Sequence, residues 1–269
     1  MMTDTASHTA LITGASAGIG ATYADRLARR GYDLILVARD EARLTTLAAR
    51  LRADTGRTVT VLRADLTDSA DVARIEARLV EDSSITLFVN NAGMSLSGNL
   101  LTVEPAAIER LIALNVTAPT RLAAAAGRAF ATRGGGAIVN LSSVLSQVVE
   151  AFDGAYNGTK AHLLTVSRWL NRQLADRGVY VQAVLPAATR TEIWERSGMD
   201  IASLPPEIVM EVGDLVDAAL VGFDAREEVT IPPLADEALW TAADDARAAM
   251  VPVLGGNRPA ARYRQSAIA

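Results

Sequence analysis

Short apolar, β-branched segments alternate with helical segments along the chain, and this alternation limits the fold more than any other sequence feature. The predicted strands are Thr9–Thr13, Asp33–Ala38, Val59–Ala64, Leu87–Asn90, Ala137–Ser142, Tyr180–Leu185 and Glu228–Ile231. The predicted helices lie near Ile19–Arg30, Glu41–Asp54, Ser69–Glu81, Pro105–Arg133, Ala155–Arg177 and Gly213–Gly222. Most of the strands are continuously apolar, as strands covered by helices on both sheet faces are. The pattern predicts an α/β fold: a Rossmann-like, doubly wound parallel sheet of about seven strands with helices on both faces.

Two segments interrupt this alternation. Because no linker or repeat divides the sequence, we expect residues 1–269 to form a single domain. Residues 191–212 follow the sixth strand and are either a lid over the site or a surface loop, and we favour the lid. Residues 235–269 form a tail beyond the last strand.

A glycine-rich turn follows the first strand and opens the first helix. Glycines let the backbone turn sharply and approach a pyrophosphate closely, and the free N–H groups of a helix N-terminus favour negative charge. Glycines that only pack a helix against a strand would give a similar pattern. In this strand–turn–helix position we interpret the turn as a dinucleotide site. Its residues are Gly14, Ser16, Ala17, Gly18, Ile19 and Gly20.

The end of the second strand predicts which dinucleotide binds. Proteins that bind NAD usually carry an acidic residue here for the ribose hydroxyls, as methyltransferases commonly do for theirs. This chain has Ala38 and then Arg39, whose guanidinium matches a 2′-phosphate. Asp40 and Glu41 are better placed to begin the next helix. A solvated arginine is the alternative, but we interpret Arg39 as selecting NADP(H) over NAD(H).

Composition excludes several other kinds of site. The chain has no cysteine, so thiolate catalysis and zinc–thiolate sites are excluded. The histidines His8 and His162 show no metal-ligand spacing, and we expect no metal. The net charge of −5 shows no basic footprint of a nucleic-acid binder, and no apolar run is long enough for a membrane helix. Because the start of the sequence lacks the pattern of a signal peptide, we expect a cytoplasmic protein.

Tyr156 and Lys160 form the strongest candidate for proton chemistry. Their spacing of four places both side chains on one helix face, and Lys160 is the only lysine in the chain. A neighbouring ammonium favours the phenolate, so we expect a lowered tyrosine pKa and proton exchange with a substrate oxygen. Gly158 lies between them, and we expect another group to approach it closely. At the end of the fifth strand Ser142 and Ser143 are both candidates to bind a carbonyl oxygen, and the pattern alone does not choose between them.

Asp65 follows the third strand, the sequence Asn90 to Gly93 follows the fourth, and Asn115 lies further along the chain. Together with the glycine turn, Ser143 and the Tyr156–Lys160 pair, these residues resemble the short-chain dehydrogenase/reductase family of the single-domain type, over roughly residues 9 to 232. The resemblance implies that Ser143 is the catalytic serine and Tyr156 the general acid or base. It also implies that Lys160 holds the nicotinamide ribose and that Asn115 holds a proton-relay water. It implies further cofactor contacts from Asp65, Leu66, Asn91, Ala92, Gly93, Pro186, Thr189 and Thr191, beside Tyr156 and Lys160.

Three positions depart from the family pattern. Ala187 follows Pro186 where glycine is usual, and Ala17 lacks the basic residue that often assists NADP binding. The tail ends in an arginine-rich stretch, 258–264, rather than a short glycine-rich end. The inference of NADP(H) therefore depends mostly on Arg39.

The predicted function is NADP(H)-dependent reduction of a small to medium hydrophobic ketone or aldehyde, or oxidation of a secondary alcohol. The expected pocket residues are Met94, Ser95, Leu96, Val144, Leu145, Val149 to Phe152, Ala187, Ile193, Trp194 and Met199. The alternatives are a 3-oxoacyl reductase-like enzyme and a non-catalytic NADP-binding sensor or scaffold. An epimerase or dehydratase would usually carry a larger C-terminal substrate domain. The resemblance also implies a homodimer or homotetramer, paired through the helices Asn115–Arg133 and Tyr156–Arg177.

Overall fold

A computed structural model describes residues 8–98, 100–148, 150–198 and 200–264. The chain divides into two compact units, Met1–Pro232 and Pro233–Ala269. All of the candidate site residues lie in the first unit, and the single-domain organisation stays a prediction. Among the described residues, no helix combines the length and the apolar character that crossing a membrane requires.

The first unit is built on a parallel sheet in the order β3-β2-β1-β4-β5-β6-β7. The strands are β1 (Thr9–Thr13), β2 (Asp33–Ala38), β3 (Val59–Arg63), β4 (Ile85–Asn90), β5 (Gly136–Leu141), β6 (Val179–Val184) and β7 (Val229–Thr230). The chain order reverses between β1 and β4, so their carboxyl ends form the crevice in which ligands bind in doubly wound folds. The predicted fold class is confirmed.

Helices cover both faces of this sheet. They are α1 (Gly18–Arg29), α2 (Glu41–Thr55), α3 (Ser69–Glu81), α4 (Pro105–Ile112), α5 (Ala118–Arg133), α6 (Gly154–Leu174), α7 (Ile193–Arg196) and α8 (Val212–Asp224). One apolar core lies between the sheet and α3, α5 and α6, and a second lies between the sheet and α1, α2 and α8. This double burial explains why the strands have no alternating pattern.

The segment 105–133, predicted as one helix, is interrupted by a π-helical turn, Ala113–Thr117. This turn contains Asn115, whose side chain hydrogen-bonds groups on two other segments. The irregularity therefore comes from tertiary contacts that the helical periodicity does not show. Other boundaries differ by one or a few residues, and the predicted end of α6 is a 3₁₀ turn, Ala175–Arg177.

The segment 191–212 is more ordered than the sequence indicates. It contains α7 and two 3₁₀ turns, Ile201–Ser203 and Pro206–Ile208. The backbone N–H of Arg190 donates to the carbonyl oxygen of Met210 (3.0 Å), and that of Met210 donates to Ala188 (2.9 Å). The two ends of the segment are therefore hydrogen-bonded to each other beside the carboxyl end of β6. That the segment opens and closes as a lid stays a prediction.

The second unit contains one longer helix, α9 (Glu237–Met250), where the sequence indicates a helical stretch. Asp236 caps it by accepting a hydrogen bond from the backbone N–H of Ala238 (3.0 Å). A 3₁₀ turn, Val251–Val253, follows directly.

Candidate active site

The glycine-rich turn joins the carboxyl end of β1 to α1. Gly14 and Gly18 have φ angles of 65° and 53°, a region that disfavours residues with a Cβ atom. At Gly20 a Cβ atom would come 2.6 Å from Nδ2 of Asn91 and would overlap the carbonyl oxygen of Gly14. The structure thus requires glycine at each of the three positions of the motif.

Thr13 and Asn91 tie this turn to the end of β4. Nδ2 of Asn91 donates to the carbonyl oxygens of Thr13 (2.9 Å) and Gly14 (3.3 Å). Oγ1 of Thr13 accepts from the backbone N–H groups of Asn91 (3.0 Å) and Ala92 (3.1 Å). The carboxyl ends of β1 and β4 are therefore held as one unit at the crevice.

The start of α1 is suited to an anion. No side chain caps the helix at Ala17, and its first turn contains no acidic residue. Ser16 and Ile19 are half-buried beside it. Since the backbone N–H groups of a first helical turn lack partners within the helix, this cradle fits the pyrophosphate of a dinucleotide.

Arg39 lies exposed at the carboxyl end of β2. Within the described part of the chain it makes no salt bridge. Asp40 caps α2 by accepting from the backbone N–H of Arg43 (3.0 Å), which confirms that the acidic pair begins the helix. The guanidinium of Arg39 is therefore available to a phosphate, and Ala38, at the end of β2, offers no carboxylate to a ribose hydroxyl.

Asp65 and Leu66 follow β3 on the same side. Oδ1 of Asp65 accepts from the backbone N–H (3.0 Å) and the hydroxyl (2.8 Å) of Thr67. Burial disfavours the charged carboxylate, but the hydrogen bonds from Thr67 and the charges of Arg39 and Arg63 hold its pKa below the usual value. Leu66 is buried, so an apolar surface and a carboxylate lie side by side here.

Gly93, Asn115 and Lys160 come together beyond the end of β4. A Cβ atom on Gly93 would lie 3.4 Å from Oδ1 of Asn115 and 3.5 Å from Nζ of Lys160. Asn115 accepts from the backbone N–H of Met94 (2.9 Å) and donates to its carbonyl oxygen (2.7 Å). It also donates to Oγ1 of Thr159 (3.2 Å). Asn115 thus connects the loop after β4 to α6.

The two serines after β5 have different partners. The hydroxyl of Ser142 donates to the carbonyl oxygen of Lys160 (2.8 Å), which commits it to holding α6. The hydroxyl of Ser143 donates to the carbonyl oxygen of Pro186 (3.3 Å) and accepts from the N–H of Leu145 (3.1 Å). Of the two, Ser143 has the longer and weaker donor contact, so its hydroxyl is the easier one to redirect.

Tyr156 and Lys160 are both buried in the first turns of α6. Nζ of Lys160 lies 5.6 Å from the centroid of the Tyr156 ring and donates to the carbonyl oxygen of Leu141 (2.8 Å). The expected lowering of the tyrosine pKa is wrong for this structure: burial, with the charge of Asp153, raises the pKa of Tyr156 above its usual value. Burial also lowers the pKa of Lys160 to about 8. Desolvation disfavours both charged forms, and the sequence does not show how deeply the pair is buried.

Gly158 does not have the predicted neighbour. Beyond its own helix, no atom of the described residues would lie within 4 Å of a Cβ atom at this position. The expectation of a close approach is therefore wrong, and nothing in the structure explains this glycine.

The residues after β6 lie between the serine loop and the glycine turn. The carbonyl oxygen of Pro186 accepts from the N–H of Val144 (2.9 Å), which joins this segment to the end of β5. Oγ1 of Thr189 donates to the carbonyl oxygen of Ala187 (3.0 Å). Cγ2 of Thr191 would lie 3.2 Å from a Cβ atom on Gly18. Thr191 therefore borders the glycine turn directly.

Apolar and aromatic side chains surround Tyr156. Leu96, Leu111 and Tyr156 form a buried cluster, with Met94 and Leu145 packed against it. The rings of Phe152 and Trp194 extend it, with the Phe152 centroid 5.3 Å from that of Tyr156. Of the other predicted pocket residues, Ser95 is buried, Val144, Ala187 and Ile193 are half-buried, and Glu150 and Ala151 are exposed. Val149 and Met199 lie outside the described residues.

Two contacts near the site leave no periodic signal in the sequence. The amide of Asn157 donates to the carbonyl oxygens of Val148 (2.7 Å) and Ala151 (2.8 Å), so it anchors the loop before α6. Arg43 forms an ion pair with Glu192 (2.8 Å), which joins the first turn of α2 to the segment after β6. The position of Asn157, directly after Tyr156, is the only hint of its role. The Arg43–Glu192 pair joins residues that are distant in sequence, and Asn157 bonds to backbone groups, so neither contact produces a periodic pattern.

The chain is similar in sequence and in fold to several known proteins. The family model described as short chain dehydrogenase matches residues 8–201. A short-chain dehydrogenase from Sphingobium yanoikuyae, solved in complex with NADPH, is 56% identical, with a TM-score of 0.93, over 96% of this chain and 100% of that one. An alcohol dehydrogenase from Comamonas testosteroni, described as bulky-bulky ketone specific, is 49% identical, with a TM-score of 0.89, over 97% of this chain and 100% of that one.

A more distant relative is galactitol 2-dehydrogenase (L-tagatose-forming) from Cereibacter sphaeroides, 32% identical over 68% of this chain and 72% of that protein. The family match, the parallel sheet and the order of the motifs along the chain point the same way. The protein belongs to the short chain dehydrogenase family of oxidoreductases.

Proposed function

We propose that this protein is an NADP(H)-dependent carbonyl reductase that acts on hydrophobic ketones or aldehydes and, in reverse, on secondary alcohols. The observation that carries the proposal is the buried Tyr156–Lys160 pair beside Gly93 and Asn115, at the same sheet edge as the glycine turn. A buried proton donor next to a dinucleotide cradle is suited to hydride and proton addition across a carbonyl group.

Several segments at this edge of the sheet contribute groups that could hold NADP(H). The residues that would hold it are Gly14, Ser16, Ala17, Gly18, Ile19, Gly20, Arg39, Asp65, Leu66, Asn91, Ala92, Gly93, Tyr156, Lys160, Pro186, Thr189 and Thr191. When bound, the nicotinamide supplies the hydride. Arg39 would bind the 2′-phosphate, and the relative from Sphingobium yanoikuyae supports the assignment, because that protein is described in complex with NADPH.

Tyr156 is the proposed acid. Because burial raises its pKa, the phenol stays protonated at neutral pH and holds the proton that a reduced carbonyl oxygen takes up. Ser143 would turn its hydroxyl from Pro186 to that oxygen and stabilise its developing negative charge. Lys160, an ammonium below a pH of about 8, would hold its own proton beside the tyrosine.

Asn115 has a supporting role in this proposal. Its hydrogen bonds to Met94 and Thr159 fix the loop after β4 against α6, on which Tyr156 and Lys160 lie. The resemblance to the family adds a proton-relay water at this residue. Both roles depend on the same buried amide.

The substrate class follows from the surroundings of Tyr156. The apolar cluster of Leu96, Leu111, Met94 and Leu145 offers little to a polar sugar. The Comamonas testosteroni relative is described as specific for ketones with two bulky substituents. We therefore propose that a hydrophobic ketone is a better substrate than a polyol.

A panel of carbonyl compounds tests this function. Wild-type protein is mixed with NADPH or NADH and with an aryl ketone, an aliphatic ketone, a sugar or a 3-oxoacyl thioester, and loss of reduced-cofactor absorbance is followed. We expect the ketones to be reduced and NADPH to be preferred. Turnover of only the thioester would favour the oxoacyl reductase alternative, and binding of NADPH without any turnover would favour a sensor.

Arg39→Ala tests the choice of cofactor. Losing the fork that binds the 2′-phosphate should weaken NADPH binding by about 10- to 100-fold while NADH binding changes little. Arg177→Ala, at an exposed arginine that precedes β6 near the opposite edge of the sheet, is a matched control. Equal losses for the two cofactors in Arg39→Ala would show that Arg39 does not select the phosphate.

The proposal includes a homodimer or homotetramer in which α5 and α6 pair across a two-fold axis. Trp169 on α6 is 60% exposed, which is unusual for a large aromatic side chain. Sedimentation of wild-type protein and of Trp169→Glu checks this. Trp169→Glu should sediment as a smaller species than the wild-type protein. A wild-type protein that is already a monomer, and that the substitution leaves unchanged, would contradict the pairing.

A further inference from the structure

Phe152 has an unusual backbone conformation. Its φ angle is 69°, in the left-handed region that a bulky side chain rarely occupies. It is also 40% exposed, although it is aromatic and lies in the loop just before the catalytic helix. A strained backbone that persists must be held by its surroundings, and such residues cluster at functional sites.

Hydrogen bonds on both sides of Phe152 hold this conformation. Before it, the carbonyl oxygens of Val148 and Ala151 accept from Nδ2 of Asn157. After it, Oδ1 of Asp153 accepts from the backbone N–H of Tyr156 (2.7 Å) and caps α6. Both neighbours of Phe152 in the chain are therefore fixed to the first turn of α6, and Phe152 must make the turn between them.

This turn places the Phe152 ring between two other rings. Its centroid lies 5.3 Å from that of Tyr156, with an interplanar angle of 61°. On the lid segment, Trp194 lies 6.4 Å from Phe152, with the ring planes at 88°. Nε1 of Trp194 donates to the carbonyl oxygen of Thr189 (2.8 Å), which fixes that ring in turn. Edge-to-face geometry of this kind is the favourable arrangement for aromatic rings.

A substrate bound at Tyr156 must lie next to these rings. To receive a proton, a carbonyl oxygen has to come within about 3 Å of the Tyr156 hydroxyl. A substituent on the carbonyl carbon then lies within reach of a ring whose centroid is 5.3 Å from that of Tyr156. The exposed part of Phe152 offers that substituent an aromatic partner.

We propose that Phe152 and Trp194 form a specificity subsite for an aromatic ring of the carbonyl substrate, and that Asn157 is the positioning residue that holds Phe152 there. This rests on the proposed carbonyl reduction and deepens it from a hydrophobic ketone to an aryl ketone. The strained turn brings the ring next to that of Tyr156.

Two ketones of matched shape test the subsite: propiophenone, which carries a phenyl ring, and cyclohexyl ethyl ketone, which carries a saturated ring. Calorimetric titration into protein saturated with NADP⁺ measures affinity without turnover, since the oxidised cofactor cannot reduce a ketone. Wild-type protein should bind propiophenone more tightly, by about 3- to 10-fold, as expected for one added aromatic contact. Phe152→Leu should bring the ratio close to one and leave the affinity for the saturated ketone nearly unchanged.

The controls separate the subsite from general packing. Phe223→Leu removes a ring beside Tyr180 on the far side of the first unit and should leave the ratio unchanged. Asn157→Ala should lower the ratio of the two affinities although Phe152 is still present. A general loosening of the site would instead weaken the binding of both ketones equally. If Asn157→Ala does not fold, Phe152→Leu and Trp194→Leu carry the test.

The outcomes for the subsite and for the proposed function can be told apart. A wild-type preference for propiophenone that Phe152→Leu keeps would overturn the subsite, as would the absence of any preference. Reduction of both ketones with NADPH in that case would leave the proposed function intact. Preferential binding that Phe152→Leu abolishes, without any reduction by NADPH, would support the subsite and remove the proposed function.

Discussion

The two halves of α6 are buried to a similar degree but bury opposite kinds of side chain. Its first two turns enclose polar groups: Tyr156, Asn157, Thr159 and Lys160. Its later turns enclose mostly apolar groups: Leu163, Leu164, Leu170 and Leu174. One helix thus holds the proposed chemistry at one end and part of the apolar core at the other.

The polar half is costly to bury. The pKa of Lys160 falls to about 8 because its ammonium is removed from water, and only one hydrogen bond, to Leu141, is described for it. Oδ1 of Asn157 is buried without a hydrogen-bond partner in the described part of the chain. Such groups are unfavourable for stability, so we attribute their presence to the proposed function rather than to folding.

The apolar half contributes stability instead. Leu170 and Leu174 pack against Gly127 of α5, where a Cβ atom would come 2.9 Å from Cδ1 of Leu174. Ser167 is the polar exception in these turns, and it accepts a hydrogen bond from Nδ2 of Asn140 (2.9 Å). The comparison predicts that substitutions in the first turns change activity, and that substitutions in the later turns change stability.

Lys160→Met should give the largest effect. The variant keeps the length of the side chain but removes the ammonium beside Tyr156, so turnover of the ketone should fall by about 10²- to 10⁴-fold. Thr165→Ala, at an exposed position of the same helix, should keep wild-type turnover. Steady-state kinetics with NADPH measures both, and an active Lys160→Met would show that the ammonium in the polar half of α6 is not needed for turnover.

Leu170→Ala should give the next largest effect, on stability. Removing a buried leucine that packs against α5 should lower the free energy of unfolding by about 2–4 kcal/mol. The kcat of the folded protein should stay near that of wild type. Denaturant unfolding and kinetics are measured on the same preparation. A large fall in kcat with little loss of stability would show that the two halves are not separate.

Lys160→Met should also make the protein more stable, by about 1–3 kcal/mol at neutral pH, since it removes a desolvated charge at the loss of one hydrogen bond. In the folded chain the lysine has a pKa of about 8, below its ordinary value of 10.5. The burial penalty is therefore fully present below pH 8. Between these two pH values the unfolded chain holds a proton that the folded chain has lost, so wild-type stability from this group rises with pH.

The stabilising effect of Lys160→Met should accordingly shrink between pH 8 and pH 10.5. Thermal unfolding of both proteins across this range provides the measurement. A variant that is less stable than wild type at every pH would mean that the buried ammonium stabilises the fold, and the account of the polar half would be wrong.

Much of the fold can be predicted from the sequence because its signals are local. Continuously apolar strands and the glycine turn predict the doubly wound sheet, and the strand ends lie within about two residues of their predicted positions. The π-helical turn around Asn115 could not be predicted because its partners, Met94 and Thr159, lie on other segments. Periodicity continues through this turn and predicts one long helix.

The residues of the candidate site could be predicted better than their environment. The Tyr156–Lys160 spacing places both side chains on one helix face, but the direction of their pKa shifts depends on burial that only the fold determines. The left-handed conformation of Phe152 depends on the amide of Asn157, five positions later. An aromatic residue in a loop gives no sequence signal of such a constraint.

Tyr156→Phe removes one hydroxyl from the polar half of α6 and keeps the ring, so it isolates the proposed proton donor. The measurement is ketone-dependent oxidation of NADPH, together with NADPH affinity and the free energy of unfolding of the same variant. If Tyr156 is the proton donor, turnover should fall by about 10³-fold or more, while NADPH affinity changes less than about threefold and stability is not lowered. Turnover close to that of wild type would contradict this role, because the proton would then come from another group.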